Sequence, residues 1–152
     1  GLTENGKDEI EFLISANAGE EPKPLAKIAS GGELSRIMLA IKNVLAETDG
    51  VDTMIFDEID TGVSGRAAGK IAEKLRAVAK NKQVLCITHL AQLASKADNH
   101  YLIEKNVTDG KTATTVTLLS GQRRIEEIAR IMGGSQVTQT TLDAARELIE
   151  NR

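Results

Sequence analysis

The chain contains few aromatic residues and a single cysteine, and each shortage excludes something. Its 152 residues include two Phe, one Tyr and no Trp, so the aromatic platforms on which many proteins stack single-stranded nucleic acid are unsupported. Cys86 is the only cysteine, which rules out a disulfide within the chain and suits a reducing cytoplasm. Because Cys86 lies in an apolar strand pattern, we expect a small buried thiol.

Positive charge is not in excess either. The formal net charge is −3 at pH 7, which gives no global electrostatic reason for binding nucleic acid or an anionic membrane. The sequence has no apolar run of about 18 residues and no signal-peptide pattern, so membrane spanning and secretion are unsupported. We therefore expect a cytoplasmic localisation, no membrane partner and, at this length, one domain.

The apolar patterns predict an α/β fold. Short apolar strands at Thr53–Phe56 and Gln83–Thr88, which we expect to be fully buried, alternate with helices at Gly31–Glu47 and about Gly65–Lys80. This order favours a parallel sheet with right-handed crossovers. On the first helix, apolar residues at helical spacing predict one buried stripe. The stripe consists of Leu34, Ile37, Met38, Ile41, Val44 and Leu45.

The remaining segments are assigned more briefly. The chain opens almost directly in a strand, which suggests a piece of a longer protein. A later turn around Asp109-Gly110 predicts a β-hairpin. The other predictions are a strand at Glu9–Ala16, a loop at Asn17–Pro24, a short helix near Leu90–Lys96, hairpin strands at Tyr101–Val107 and Thr114–Leu119, and helices at Gln122–Met132 and about Thr138–Asn151.

Two adjacent glycines open the first helix, where they are unexpected. A Gly in a helix costs roughly 1 kcal/mol relative to Ala, so Gly31 and Gly32 need a compensating use. One such use is close approach of the backbone to an anion at the helix N-terminus, with the Ser30 hydroxyl beside it. Ser30 and Glu33 also fit a capping box, which stabilises the helix end without explaining the glycines. The residues alone leave both interpretations open.

Two carboxylates follow directly on the strand Thr53–Phe56. We expect the side chains of Asp57 and Glu58 to point to different sides. Mg²⁺ is often held by one or two carboxylates together with substrate phosphates, so Asp57 is a candidate ligand, directly or through water. Glu58 is a candidate general base for an attacking water. The alternative is a pair of solvated acids at the end of a strand.

A histidine closes the next apolar strand. Ligands of open α/β sheets bind outside the carboxyl ends of the strands, so we expect His89 to lie near Glu58 if the two strands are neighbours. Its imidazole could then hydrogen-bond a γ-phosphate. A purely structural histidine is the alternative. His100, which precedes Tyr101, has no candidate site residues near it in the pattern and stays unassigned.

A phosphate-binding loop is missing. Gly110-Lys111-Thr112 ends like one, but Lys105 stands five residues before its glycine and the segment is typical of a hairpin turn. Around Gly69-Lys70, Ser64 and Ile71 occupy the positions that the template reserves for Gly and for Ser or Thr. The chain therefore supplies no Lys and Gly-rich cradle for β- and γ-phosphates.

In their order, these motifs resemble the second half of an ATP-binding-cassette ATPase head. Ser30–Glu33 is similar to the signature motif, Thr53–Glu58 to Walker B with its catalytic Glu, and Thr88–His89 to the switch histidine. The residues that match the D-loop are Thr61, Gly62, Val63, Ser64 and Gly65. Many cassette ATPases end this loop in Asp, so a contact made by that acid does not transfer to Ser64.

The amino-acid sequences of these motifs and of Ile128–Gly134 resemble those of the SMC-like ATPases of bacterial DNA repair. The resemblance extends over nearly the whole chain. The resemblance implies that residues 1–152 are the C-terminal portion of a P-loop NTPase head of α/β class. Its parts are a short parallel sheet with flanking helices, a hairpin and two final helices. It implies ATP and Mg²⁺ as cofactors and ATP hydrolysis in the complete protein. Without the Walker A half and the coiled coil, we expect the isolated segment to be inactive.

The resemblance also implies partners. In a cassette dimer the signature residues Ser30–Glu33 bind ATP held by the opposite head, whereas Asp57, Glu58 and His89 act on ATP in their own head. The partners are then the N-terminal half of the same head, a second head in an ATP-sandwiched homodimer, and DNA during double-strand break repair and recombination. We expect weak or no DNA binding by the segment itself, and association of the complete protein with the nucleoid after DNA damage.

The alternative function is a non-catalytic, nucleotide-dependent dimerisation module of another SMC-like or cassette protein. A module of this kind would use Ser30–Gly32 only to grip a partner's nucleotide. The function of Glu58 distinguishes the two hypotheses. A basic DNA-binding module is disfavoured by the net charge.

Overall fold

The computed structural model describes residues 4, 6–8, 10–15, 19–27, 30–45, 50–108, 111–134 and 136–151. Helices and short sheets alternate over these ranges. The strands are β1 (Leu13–Ile14), β2 (Lys23–Pro24), β3 (Thr53–Phe56), β4 (Gln83–Cys86), β5 (His100–Thr108) and β6 (Lys111–Leu119). The helices are α1 (Gly31–Val44), α2 (Gly65–Ala79), α3 (Ala91–Ala94), α4 (Gly121–Gly133) and α5 (Gln139–Glu150).

Strands β3 and β4 form the predicted parallel pair. Phe56 lies opposite Cys86, and the Ile87 N–H donates to the Phe56 carbonyl at 3.0 Å. Strand β4 ends before the predicted Thr88 because the Thr88 hydroxyl and the next N–H bond a side chain instead of the strand ladder. Cys86, expected as a small buried thiol, is half-buried, and burial raises the pKa of its thiol to about 12.

The core covers one face of this pair. Met54 and Phe56 point into it and are buried, together with residues of α1, α2 and α3. On the opposite face Ile55 is 70% exposed, and Leu85 and Ile87 are also exposed. The prediction of fully buried strands is therefore wrong for this chain, in which helices pack on only one side of the described sheet.

Helix α1 lies where it was predicted, but its buried stripe does not. Leu34, Met38, Val44 and Leu45 are exposed, Val44 by 84%, and the remaining two stripe residues are half-buried. The helix buries Gly32 and Leu39 instead. The reason is that α1 packs against α2 and the loop after β3 with a different face. The helix ends at Val44, and Glu47 lies outside the described residues.

The predicted strand at Glu9–Ala16 is mostly wrong. Only β1 is a strand, and it pairs antiparallel with β2, which lies inside the predicted loop. Ile10 and Phe12 are exposed by 78% and 67%. The ladder stays short in part because Pro24 has no N–H to donate. The two end residues, Glu9 and Ala16, lie outside the described range.

The C-terminal third follows the predictions closely. Strands β5 and β6 form a hairpin that extends beyond the predicted bounds, and its Asp109-Gly110 turn lies outside the described residues. Lys111 and Thr112 belong to β6, so they are not part of a phosphate-binding loop. Helices α4 and α5 pack through a second core around Ile128, Ala129 and Ala145. Among the described residues, no helix combines the length and the apolar character needed to cross a membrane.

Candidate ATPase site

Two loops meet at the carboxyl edge of the parallel pair. Asp57 and Glu58 follow β3, and Thr88 and His89 follow β4, so the register places both pairs at the same end of the sheet. Glu58 has a φ of +56°, a left-handed conformation that a non-glycine residue adopts at a cost of order 1–3 kcal/mol. Its N–H donates to Asp57 Oδ1 at 2.8 Å. Both acids are exposed.

A buried carboxylate that the motifs did not single out joins the two loops. Asp60 is 3% exposed. Its Oδ2 accepts hydrogen bonds from the Thr88 hydroxyl at 2.5 Å and from the His89 N–H at 2.9 Å. The same oxygen lies 3.1 Å from His89 Nδ1. His89 therefore lies close to the loop after β3, as expected for neighbouring strands.

Helix α1 is fastened to the loop after β3 by two side chains. The Ser35 hydroxyl donates to the Asp57 carbonyl at 2.9 Å. Arg36 Nη1 donates to the Ile59 carbonyl at 3.2 Å and to the Thr61 carbonyl at 2.9 Å. Since a guanidinium offers several fixed donors, Arg36 holds this loop in one conformation. The first half of α1 and the two acids therefore form one unit.

The glycines at the start of α1 have an intramolecular reason as well. Gly32 is buried, and a Cβ there would lie 2.8 Å from the Glu58 carbonyl oxygen and 3.0 Å from Thr61 Cβ. Gly31 is exposed, and its Cβ would meet only the end of the Glu58 side chain, 2.6 Å from Oε2. Close approach to an anion was one use that the sequence suggested for the pair. Gly32 is already explained by the close approach of its own loop, and Gly31 remains open to a ligand.

The Ser30 hydroxyl caps α1, as one interpretation predicted. It accepts from the Glu33 N–H at 3.5 Å. The described contacts contain no return bond from the Glu33 side chain to the Ser30 N–H, so only half of the capping box is present. Ser30 is half-buried, and Glu33 is exposed. The N-terminus of α1 thus presents a hydroxyl and an exposed glycine at the surface.

The predicted D-loop lies directly beside this unit. The Thr61 N–H donates to the Glu58 carbonyl, and the Val63 N–H donates to the Asp60 carbonyl, so the loop begins as two tight turns. Val63 packs against the core. Ser64 is the N-cap of α2, and its exposed hydroxyl makes no capping bond. Gly62 and Gly65, the remaining residues of the loop, are exposed.

Asp57, the candidate Mg²⁺ ligand, does not belong to a cluster of metal-binding side chains within the described part of the chain. Among the described residues no group of three or more His, Cys, Asp or Glu side chains converges in a way that could hold a metal ion. Asp57 fits a different kind of site, because its exposed carboxylate uses one oxygen for the Glu58 N–H and keeps the other. Mg²⁺ that is bound mainly by phosphates and water needs only one or two such carboxylates.

With this geometry established, curated proteins provide the decisive comparison. The chain is 51% identical over 147 residues to the DNA repair protein RecN of Halalkalibacterium halodurans, 53% identical over 149 residues to that of Bacillus subtilis, and 52% identical over 144 residues to that of Treponema pallidum. These alignments cover 97%, 98% and 95% of the chain. The chain is homologous to part of the RecN proteins. No family model matches it.

The chain spans about a quarter of the length of these RecN proteins, since the alignments cover 26%, 26% and 25% of them. A solved chain from work on ATP-driven dimerization and DNA-stimulated activation of SMC ATPases has a similar fold. It aligns with a TM-score of 0.52 and 22% identity over 82% of this chain and 81% of its own length. At that identity the likeness shows the fold alone. It confirms the predicted SMC-type α/β head architecture.

Proposed function

We propose that this segment is the C-terminal portion of the ATP-binding and hydrolysing head of a RecN-family protein. The observation that supports this most is the joining of three motifs at one edge of the sheet. The acids after β3, the histidine after β4 and the glycines of α1 are linked by the side chains of Asp60, Ser35 and Arg36. A set of unrelated surface residues would have no reason to share these bonds.

In this proposal Glu58 is the general base. Its carboxylate is exposed and its backbone is held in a strained conformation by the contacts around it, as is common for residues at reacting centres. Glu58 would accept a proton from the water that attacks the γ-phosphate. His89 would donate a hydrogen bond to a γ-phosphate oxygen, and Asp57 would hold Mg²⁺, which supplies charge neutralisation at the phosphates when bound.

The nucleotide on which these residues act requires parts that lie outside this segment. The P-loop would come from the N-terminal half of the same head. Apolar surface that is exposed in the segment supports such a partner. Parallel strands are normally covered on both faces, yet one face of the β3–β4 pair carries exposed Ile55, Leu85 and Ile87. Without that half, the segment would not hydrolyse ATP.

A second head would complete the site. The exposed end of α1, with the Ser30 hydroxyl and Gly31, would contact ATP held by the opposite head, and Ser64 would lie at the same interface. ATP would then join two heads, and hydrolysis would release them. The complete protein would use this cycle in double-strand break repair and recombination in the cytoplasm, on nucleoid DNA. With a net charge of −3, the segment would contribute little DNA affinity.

The variant Glu58→Gln in the complete protein tests the central assignment. Gln keeps the size of the side chain and cannot accept the proton, so we expect steady-state ATP turnover to fall by about 100-fold or more. ATP-dependent dimerisation should persist. Glu73→Gln is the matched control, because Glu73 is an exposed acid on α2. This variant should hydrolyse ATP at the normal rate. Unchanged hydrolysis by Glu58→Gln would favour the non-catalytic dimerisation module.

A further inference from the structure

Asp60 is a buried acid to which none of the motifs assigns a function. It lies between Ile59, which is fully buried, and Thr61. Buried carboxylates are rare unless they are paired. The Asp60 carboxylate bonds three groups of the loop that carries His89, which makes that loop the place to look for its function.

The backbone on both sides of Asp60 is fixed. Arg36 donates to the carbonyls of Ile59 and Thr61, and the Asp60 carbonyl accepts from the Val63 N–H. The carboxylate therefore has little freedom to follow a moving histidine. The Thr88 hydroxyl, which donates to Asp60, also accepts from the Leu90 N–H at 3.0 Å, so Asp60 orders the turn on both sides of His89.

The hydrogen bonds around His89 determine which nitrogen of its imidazole carries a proton. Burial raises the pKa of Asp60, but the hydrogen bonds from Thr88 and the His89 N–H and the charge of His89 lower it below its usual 3.8. An ionised carboxylate only accepts, so His89 Nδ1 must carry the proton that faces it. The His89 side chain is 74% exposed, which leaves Nε2 open to a ligand.

We propose that Asp60 is a positioning residue for ATP hydrolysis, which holds His89 by Nδ1–H so that Nε2–H donates to the γ-phosphate. The inference rests on the function proposed above and adds a residue to it. With Asp60 at Nδ1 and a phosphate oxygen at Nε2, the ring lies between two acceptors and carries a proton on both nitrogens. The positive charge is thereby supported on one side by Asp60 while it stabilises the phosphate on the other.

Because Asp60 follows Glu58 by two residues, the arrangement also couples the two loops. A displacement of the Glu58 loop would move the carboxylate that orients His89. The general base and the histidine would therefore be aligned together or lost together. A histidine held only by its own backbone would lack this coupling.

A double-mutant cycle in the complete protein tests the proposal. Asp60→Asn keeps the volume and an acceptor oxygen, but it removes the negative charge from the one oxygen that faces Thr88, the His89 N–H and Nδ1. We expect kcat to fall by roughly tenfold or more, the range seen when a group that orients a histidine is lost, with a much smaller change in KM. Asp60→Asn combined with His89→Ala should be no slower than His89→Ala alone. Asp52→Asn, an exposed acid before β3, is the control and should leave turnover unchanged.

If the fall in kcat of the double variant equals the product of the falls in the two single variants, the proposal is overturned, because Asp60 then acts independently of His89. Normal turnover by Asp60→Asn would do the same. If instead Glu58→Gln leaves hydrolysis unchanged, the proposed function itself fails. A slow Glu58→Gln protein with a fully active Asp60→Asn protein rejects only the present inference.

A spectroscopic measurement needs no substitution at Asp60. In the protein with ¹⁵N-labelled histidine, solid-state NMR reports which ring nitrogens carry protons, and His89→Ala identifies the signal of His89. We expect Nδ1 to be protonated without nucleotide and both nitrogens to be protonated in the ATP complex of Glu58→Gln. A bare Nδ1 in either state contradicts the proposal, even if Asp60→Asn fails to fold.

Discussion

At Gly32, the packing of α1 and the conformation of the Glu58 loop both depend on the absence of a side chain. Its missing Cβ lets the Glu58 carbonyl and Thr61 approach the first turn of α1. A backbone oxygen that is held by its own turn cannot move away cheaply, whereas the end of a glutamate side chain can. Gly32 is thus required by the fold, and Gly31 is left available for a ligand.

The two glycines should therefore respond differently to alanine. Gly32→Ala is expected to lower the free energy of unfolding by about 1–3 kcal/mol, because the methyl group overpacks the contact with Glu58. Gly31→Ala should change it by no more than about 1 kcal/mol, since Gly31 is exposed and only the Glu58 side chain must shift. Chemical denaturation of the complete protein compares the two variants. Equal losses would show that the close approach at Gly32 is not what requires glycine.

At the scale of elements, Arg124 attaches α4 to the end of α3. Arg124 is 9% exposed, and its Nη2 donates to the carbonyls of Ala94, Ser95 and Ala97. Ala94 and Ser95 end the four-residue helix α3, where carbonyls have no intrahelical donor, and Ala97 follows two residues later. One buried cation thereby satisfies three acceptors and joins the two cores through α3.

Arg124→Ala is expected to lower the free energy of unfolding by about 2–4 kcal/mol, because it leaves buried carbonyls without a charged donor. The neighbouring Arg123 is exposed, so Arg123→Ala is the matched control and should stay within about 0.5 kcal/mol of the parent. Urea unfolding measures both. A loss that is the same for the two arginines would refute the importance of this contact.

The elements show how far the sequence leads. Helical and strand periodicity predicted α1, α2, β3 and the hairpin closely, because local apolar spacing is a property of the segment itself. The same spacing was wrong about burial on α1, since periodicity identifies residues that share a face and not what covers that face. Leu34 and Met38 share a face that remains exposed.

For the site, the motifs predicted the residues at the sheet edge but not the bonds between them. Asp60 was missed because no local pattern distinguishes it from other acids in a turn; its partners are 28 and 29 residues away in the chain. An acid three residues after Asp57 together with a Thr-His pair after the neighbouring strand is the signal that was available. The close approach of Glu58 to Gly32 is likewise a long-range contact that no local pattern predicts.

At the scale of the whole molecule, the exposed face of the β3–β4 pair is either open to solvent or covered by the N-terminal half of the proposed head. A substitution on this face distinguishes the two possibilities. Ile55→Asp places a charge at a position that is 70% exposed in the segment. If the N-terminal half covers this face, the variant of the complete protein should lose several kcal/mol, since the charge is buried without a partner. Ala77→Asp, at an exposed position of α2, is the control. Equal thermal unfolding of the two variants would mean that the face stays open.

The most direct test asks whether the ATPase site is shared between two heads. Ser30→Asp keeps a good helix cap and places a negative charge where the phosphate of the opposite head is proposed to bind, so both this variant and Glu58→Gln should be inactive alone. When the two complete proteins are mixed and allowed to exchange, we predict that ATP hydrolysis reappears, because each mixed dimer contains one site with an intact Glu58 and an intact Ser30. A mixture that stays as inactive as its components, with exchange verified, would contradict the account.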